Sequence, residues 1–412
     1  MSARAVITGA GVIAPSGKSA DEHWATITAG DSQLAPITSF DAARYPTRIA
    51  GEVRDLDIAA TMEGRLIVQT DRWTQMAFAA AEEALAGAGL NLADADPYQV
   101  SVVMASSSGG NQFGQRELQR LWSQPAHTVG AYQSIAWFYA ATVGQLSIRH
   151  QAKGPSNVLV SEGAGGLDSL AHAARMLRRG VSVVLAGGLE APLSPYALAC
   201  QVASRMLSTD DDPRTAYRPF DVTASGYVPG EGGAVLIAED LDYALARGAP
   251  AIAAEIGGWG TTHDGRHASA EPGHEQYARS MRMALDRAGL RPDEVDLLIP
   301  DAMGVPGYDR SEARAITEVF GPRGVPVTSH KSLTGRMYQG GAALDVVTAL
   351  QAMREQVIPA MTGLDEAPED FDLDFVRTAR ETAVANVLVC ARGFDGYNSS
   401  LLLVRHQNGR AT

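Results

Sequence analysis

The feature that most restricts the fold is an order of strand, tight turn and helix that appears before residue 250 and again after it. The first half opens with a short apolar run, Ala5 to Thr8, followed by GAGVIAPSG. Val100 to Met104 reads as a buried strand, and the turn SSSGG leads from it into a helical stretch ending near Trp122. NVLVSEGAGGLDSLAHAARMLRRG repeats the order. Within it Leu167, Leu170, Ala171, Ala174 and Leu177 share one helical face, and Arg178-Arg179-Gly180 is a C-terminal stop. VSVVLAGG is a further strand, and YVPGEGGAVLIAED is expected to close the half as two strands around a Gly-rich turn.

The second half follows the same plan. PAIAAEIGGWG matches the opening strand, and DEVDLLIPDAMG with a helix through Phe320 matches the strand near residue 100. VPVTSHKSLTG, with a helix carrying Leu344, Val347 and Leu350, matches the turn and helix at 158–180. AVANVLVCARGFDGYNSSLLLV is the closing hairpin. Alternating strands and helices, each set ending in an antiparallel pair, predict a duplicated α/β unit spanning 1–250 and 251–412. The boundary falls near Arg247 to Pro250, and with no low-complexity linker the halves are expected to share one body.

Composition narrows the functional classes. The 412 residues include 34 Lys and Arg against 47 Asp and Glu, a net charge of −13. That balance argues against nucleic-acid binding, which needs a basic excess, and offers no basic stripe to an anionic membrane. With 45% hydrophobic and 20% charged residues the chain is ordinary for a globular protein. No stretch reaches the ~18 uninterrupted apolar residues of a membrane span. The opening MSARAVITGAG lacks the layout of a signal peptide, so a cytoplasmic location is expected. Cys200 and Cys390 both sit among apolar neighbours and read as buried small hydrophobes in a reducing compartment.

Three local patterns have bland readings that are preferred. Gly9, Gly11 and Ala14 satisfy G-x-G-x-x-A, the basis of a nicotinamide-dependent reductase hypothesis, but Pro15, Ser16 and Gly17 intervene before any helix. A structural turn is the better reading. His263, His267 and His274 could ligate a metal on a helix, but Gly265 and Pro272 make the segment a loop, and no metal is expected. Ser161 follows a strand and precedes a turn, yet the G-x-S-x-G of hydrolases is absent.

The turn and helix at 158–180 resemble the nucleophile turn of β-ketoacyl synthases, condensing enzymes of the thiolase fold. ITGAGVIAPSG, RPFDVTASGYVPGEGGAVLIAED, SHKSLTGRMYQGGAALD and GFDGYNSS extend that resemblance along nearly the whole chain. SEGAGGLDSLAHAARMLRRG, GGNQFGQRELQRLW and YQSIAWFYA resemble more narrowly the chain-length factors of type II polyketide synthases. The resemblance implies a thiolase-like fold whose two pseudo-duplicated halves form a layered α-β-α-β-α sandwich.

Active members of the family use a Cys nucleophile and two His residues. By resemblance those three positions hold Gly163, Asp301 and Arg336 here. Gly has no side chain to acylate, Asp is an anion where an enolate would develop, and Arg does not exchange a proton near neutral pH. The resemblance therefore implies a subunit inactive on its own, with Lys331 in a structural role. Many chain-length factors carry Gln where Gly163 stands, a residue tied to malonyl decarboxylation or to pocket shape. A conformational role for Gly163, at a positive φ, is the favoured reading.

What the resemblance implies in place of catalysis is partnership. An active ketosynthase subunit would form a heterodimer with this chain, and an acyl carrier protein would bring malonyl groups and the growing polyketide on its own phosphopantetheine arm. No bound cofactor is expected. The product would grow along a tunnel at the subunit interface, with Asn111, Gly114 and Leu118 on one helical stripe as its gate. Two of the three are small, which predicts an open gate and a long product; ordinary dimer packing is the alternative. Tyr132, Trp137, Phe138 and Tyr139 are expected at the partner interface, with a monomer core as their alternative. A stand-alone malonyl-carrier decarboxylase remains the competing function.

Overall fold

A computed structural model describes residues 4–123, 129–266 and 272–406. In the first half the strands of the large sheet are β1 (Ala5–Ile13), β2 (Val100–Ala105), β3 (Asn157–Leu159), β4 (Val183–Glu190) and β5 (Gly232–Asp240). The second half contributes β6 (Ala254–His263), β7 (Leu297–Ile299), β8 (Pro326–Val327), β9 (Asp374–Phe375), β10 (Asn386–Gly393) and β11 (Tyr397–Val404). The first half is ordered β1-β5-β4-β2-β3, and the second β6-β11-β10-β7-β8-β9. In each half the first three strands are antiparallel and the next pairings parallel, so the halves share order and polarity, β9 being the addition. A short antiparallel pairing, Val6 with Glu255 and Ile7 with Ala254, joins them edge to edge.

The principal helices are α1 (Arg72–Gly87), α2 (Asn111–Ser123), α3 (Ala141–His150), α4 (Gly165–Leu177), α5 (Glu275–Ala288), α6 (Pro306–Phe320) and α7 (Gln339–Glu355). One cluster of buried side chains joins α1 and α3 to the outer face of the first half, and another joins α5 and α6 to that of the second. Between the two sheets lie α4 and α7, sharing a third cluster with strands of both halves. The result is the layered α-β-α-β-α arrangement. Helix α7 is buried on all sides from Gln339 to Met353, the pattern of a helix enclosed by protein rather than laid on a surface.

Two expectations from the sequence need correction. YVPGEGGAVLIAED does not form a hairpin: only Gly232–Asp240 is a strand, and its antiparallel neighbours are β1 and β4. Tyr227 to Gly230 instead make isolated bridges to Leu207, Arg336 and Gly51. The opening strand does not stop at Thr8 either; it runs to Ile13 with a register shift after Ile7. Gly9 and Gly11 therefore lie inside a strand, where a Cβ would overlap the carbonyl oxygens of Ala84 and Ala80 in α1. Close helix packing, not a phosphate turn, explains those glycines. Among the described residues no helix is long and apolar enough to cross a membrane.

Backbone contact also sets the position of α7. A Cβ on Gly340 would overlap the carbonyl oxygen of Gly232, and a Cβ on Gly233 would in turn lie 2.7 Å from the Cα of Gly340. On α4, a Cβ at Gly166 would lie 2.5 Å from the backbone nitrogen of Ala343. Gly340→Ala is predicted to lower stability by about 1–3 kcal/mol, because neither backbone can yield without repacking the central layer. Chemical denaturation with an unchanged midpoint would show that this contact does not constrain α7.

Candidate functional site

The site lies where the central helices begin. After β3 the chain passes through Ser161 into a single helical turn, Glu162–Ala164, and then into α4. Glu162 carries the left-handed backbone there, at φ 47°, whereas Gly163 has no positive φ. The conformational reading of Gly163 is thereby overturned, and packing replaces it. A Cβ at 163 would overlap both Nη2 of Arg336 and the carbonyl oxygen of Arg392.

Arg336 enters from the segment before α7, held by backbone hydrogen bonds exchanged with Val228 and Gly230. Its Nη1 donates to Asp301 Oδ2 at 2.9 Å, and its Nη2 to the carbonyl oxygen of Arg392 at 2.8 Å. Asp301 follows β7, and both members of the ion pair are buried. Nearby carboxylates and burial act oppositely on the guanidinium, and the net effect holds it charged, well above its ordinary value. The three positions singled out by resemblance, 163, 301 and 336, are thus brought to one point. A guanidinium occupies the space a side chain at 163 would need. Desolvating two charges costs several kcal/mol per ion, so the pair is a filler that must remain paired rather than a source of stability.

Neighbouring groups complete the enclosure. Glu312 accepts from the N–H groups of Asp301 and Ala302 at 2.8 Å each and from the Tyr277 hydroxyl at 2.7 Å. Burial, together with the adjacent Asp301 carboxylate, pushes Glu312 up to about 7. Lys331 is buried, and its Nζ donates to Asp345 at 2.5 Å and to the carbonyl of Pro300 at 3.0 Å. Arg392 is a second buried guanidinium, bonded to Asn398, Ser311, Asp264 and the carbonyl of Gly273.

Beside this cluster opens a pocket of about 460 Å³, lined by residues that include Asn111, Trp137, Glu162, Tyr227, Tyr338 and Phe394. Tyr227 and Tyr338 touch hydroxyls at 3.2 Å, and Tyr338 donates to Gln201 at 2.6 Å. The helix bearing the expected gate is anchored by Asp71, whose carboxylate accepts from the N–H of Phe113 at 2.6 Å. Burial raises that carboxyl to about 6 despite the hydrogen bonds.

The gate residues do not behave alike. Asn111 is buried and faces the pocket, but Leu118 is 43% exposed and lines a separate groove with Trp122 and Tyr196. Gly114 opens no space: a Cβ there would meet Cδ1 of Trp137 at 2.6 Å, so the indole already covers it. The stripe expected to stand open at Gly114 is closed by an aromatic ring from the next segment. Tyr132, Trp137, Phe138 and Tyr139 are all exposed, Trp137 by 51%, which removes the monomer-core reading. Cys390 is buried and its thiol pushed up by desolvation, but Cys200 is exposed and lines the pocket, contrary to expectation. Ser161 donates to Asp168 at 2.6 Å. His263 packs edge-on against Tyr397, His274 faces Glu318 at 3.4 Å, and His267 lies outside the described residues. Sequence reasoning missed Glu162, Tyr227, Tyr338 and Arg392; only the unusual Arg between apolar Ala391 and Gly393 was a signal.

The competition for space at 163 is open to a double-mutant cycle. Gly163→Ala is predicted to cost about 1–3 kcal/mol by displacing Arg336. In an Arg336→Ala background the same change should cost less, giving a coupling of at least about 1 kcal/mol. Additive denaturation free energies would refute the contact.

The family described as "Beta-ketoacyl synthase, N-terminal domain" matches residues 2–243, and its C-terminal counterpart matches 253–365. The "Tetracenomycin polyketide synthase ketoacyl synthase beta subunit" of Streptomyces glaucescens is 49% identical over 403 residues, covering 97% of this chain and 98% of that protein. The "Actinorhodin polyketide putative beta-ketoacyl synthase 2" of Streptomyces coelicolor is 45% identical, covering 97% and 98%. Among solved structures, "The ishigamide ketosynthase/chain length factor" superposes with a TM-score of 0.92 at 28% identity, covering 99% of this chain and 100% of that one. A type II acyl carrier protein in complex with its ketosynthase, "AntDE:AntF", gives 0.89 at 25% identity, covering 98% and 100%. With both halves matched and the thiolase-like layers in place, the chain belongs to the β-ketoacyl synthase family.

Proposed function

We propose that this chain is a chain-length factor, the non-catalytic β subunit of a type II polyketide synthase. It pairs with an active ketosynthase, meets an acyl carrier protein bearing malonyl and polyketide chains, and helps bound the tunnel in which the product grows. The observation that carries this reading is the occupied site: Arg336, paired with Asp301, fills the space beside Gly163 where a nucleophile's side chain would stand. No thiol or imidazole is present at these three positions to accept an acyl group or assist condensation.

The surface supports the partnership. Exposed aromatic side chains at Tyr132, Trp137, Phe138 and Tyr139 adjoin a pocket that Trp137 itself lines. Contiguous apolar exposure of this kind marks an interaction face, and aromatic anchors dominate the energetics of such faces. The names of the relatives agree: beta subunits of polyketide synthases in sequence, and a ketosynthase/chain length factor in structure. Control of product length then falls on Asn111 and on Trp137 over Gly114 rather than on a stripe of small residues.

Co-expression with an active ketosynthase should yield a stable complex, and Trp137→Ala with Phe138→Ala should weaken it by about tenfold or more, read by size-exclusion chromatography and titration. The purified chain incubated alone with malonyl-carrier protein should gain no acyl mass and release no CO₂ above background. Acylation or decarboxylation by the isolated chain would overturn the assignment. In the reconstituted synthase Asn111→Phe should shorten the polyketide, since added bulk in a close-packed wall costs about 1–3 kcal/mol. An unchanged product length would remove Asn111 from the tunnel.

A further inference from the structure

The Glu162 carboxylate occupies a position made for an anion. Its Oε2 accepts from the backbone N–H of Phe394 at 2.7 Å and lies 3.8 Å from Nη2 of Arg336. A main-chain donor and a guanidinium from separate segments therefore meet the carboxylate at the wall of the pocket. Glu162 lines that pocket with its side chain 23% exposed, while Arg336 lies behind it and is buried.

Keeping Glu162 there has a cost that local structure does not explain. Its φ of 47° is a conformation L side chains rarely adopt, and a residue of this shape persists there only when its surroundings over-determine it. Burial drives its carboxyl upward, while Arg336 and the N–H of Phe394 counter that effect. A free carboxylate entering the pocket would meet the same N–H and guanidinium if this side chain were removed.

We infer that Glu162 is a tethered carboxylate ligand that fills this anion cradle and closes the chain's own pocket to carboxylate-bearing acyl groups, of which a malonyl thioester is the relevant class. The biological sense of that exclusion rests on the product-shaping reading above, because a subunit that only moulds a product gains from not retaining extender units. The binding chemistry does not rest on it, so the two can fail separately.

The test uses the purified full-length chain with sodium malonate and sodium acetate as probes. Glu162→Gly empties the cradle and suits the left-handed backbone, and Glu162→Asn, which also tolerates that backbone, guards against loss of folding. Calorimetric titration should show malonate binding at least about tenfold tighter to the Gly variant than to the original chain, a difference of roughly 1.4 kcal/mol. Glu162→Gln keeps the bulk and an acceptor for Phe394, and should stay as closed to malonate as the original. Equal affinity in the Gly variant and the original chain would overturn the inference. Binding by the Gln variant as strong as by the Gly variant would also overturn it, since occupancy would not then be the barrier.

Discussion

A guanidinium and a carboxylate buried together at the junction of the two halves are the interaction on which this site depends. Asp301 follows a strand of the second half, Arg336 precedes the helix that both halves enclose, and Gly163 precedes the other central helix. Each of the three is required by the other two. A side chain at 163 would evict the guanidinium, an unpaired Asp301 would be a buried lone charge, and an unpaired Arg336 would be the same with opposite sign. The fold is that of the β-ketoacyl synthase family, and packing between these three residues fills its centre.

On the proposed function, the pocket and the exposed aromatic surface beside it carry the role of the chain. The loop that precedes α2 is held from below by Glu190, which accepts from the N–H of Ser107 at 2.7 Å and is pushed up to about 6 by burial. Asp71 anchors the same helix by its first turn. These buried carboxylates are rigid supports for a surface whose own side chains remain uncovered. A wall that sets the length of a product must be rigid, because discrimination by overlap works only where neighbours cannot move aside.

Much of the architecture was legible from periodicity. The helices through Trp122, Leu177, Phe320 and Leu350 and the strands at 100, 183 and 386 follow from apolar spacing and turn residues, and the duplication follows from their order. The errors share a cause. Gly9, Gly11, Gly163 and Gly114 were read through turn geometry or as empty space, yet each lacks a side chain because another group occupies the place where it would stand. The supposed hairpin at 227–240 failed similarly, since its strand pairs with β1 and β4 rather than with its sequence neighbour.

Fold class, duplicated order and the residue types at 163, 301 and 336 could be read from the chain alone, because periodicity and residue identity need no tertiary contact. Only the folded chain reveals what fills the space beside Gly163, that Trp137 covers Gly114, that Cys200 faces the pocket, and that Glu162 sits between the Phe394 N–H and Arg336. Those facts depend on contacts between residues far apart in the chain. No spacing in the sequence encodes which side chain will reach the space another leaves empty.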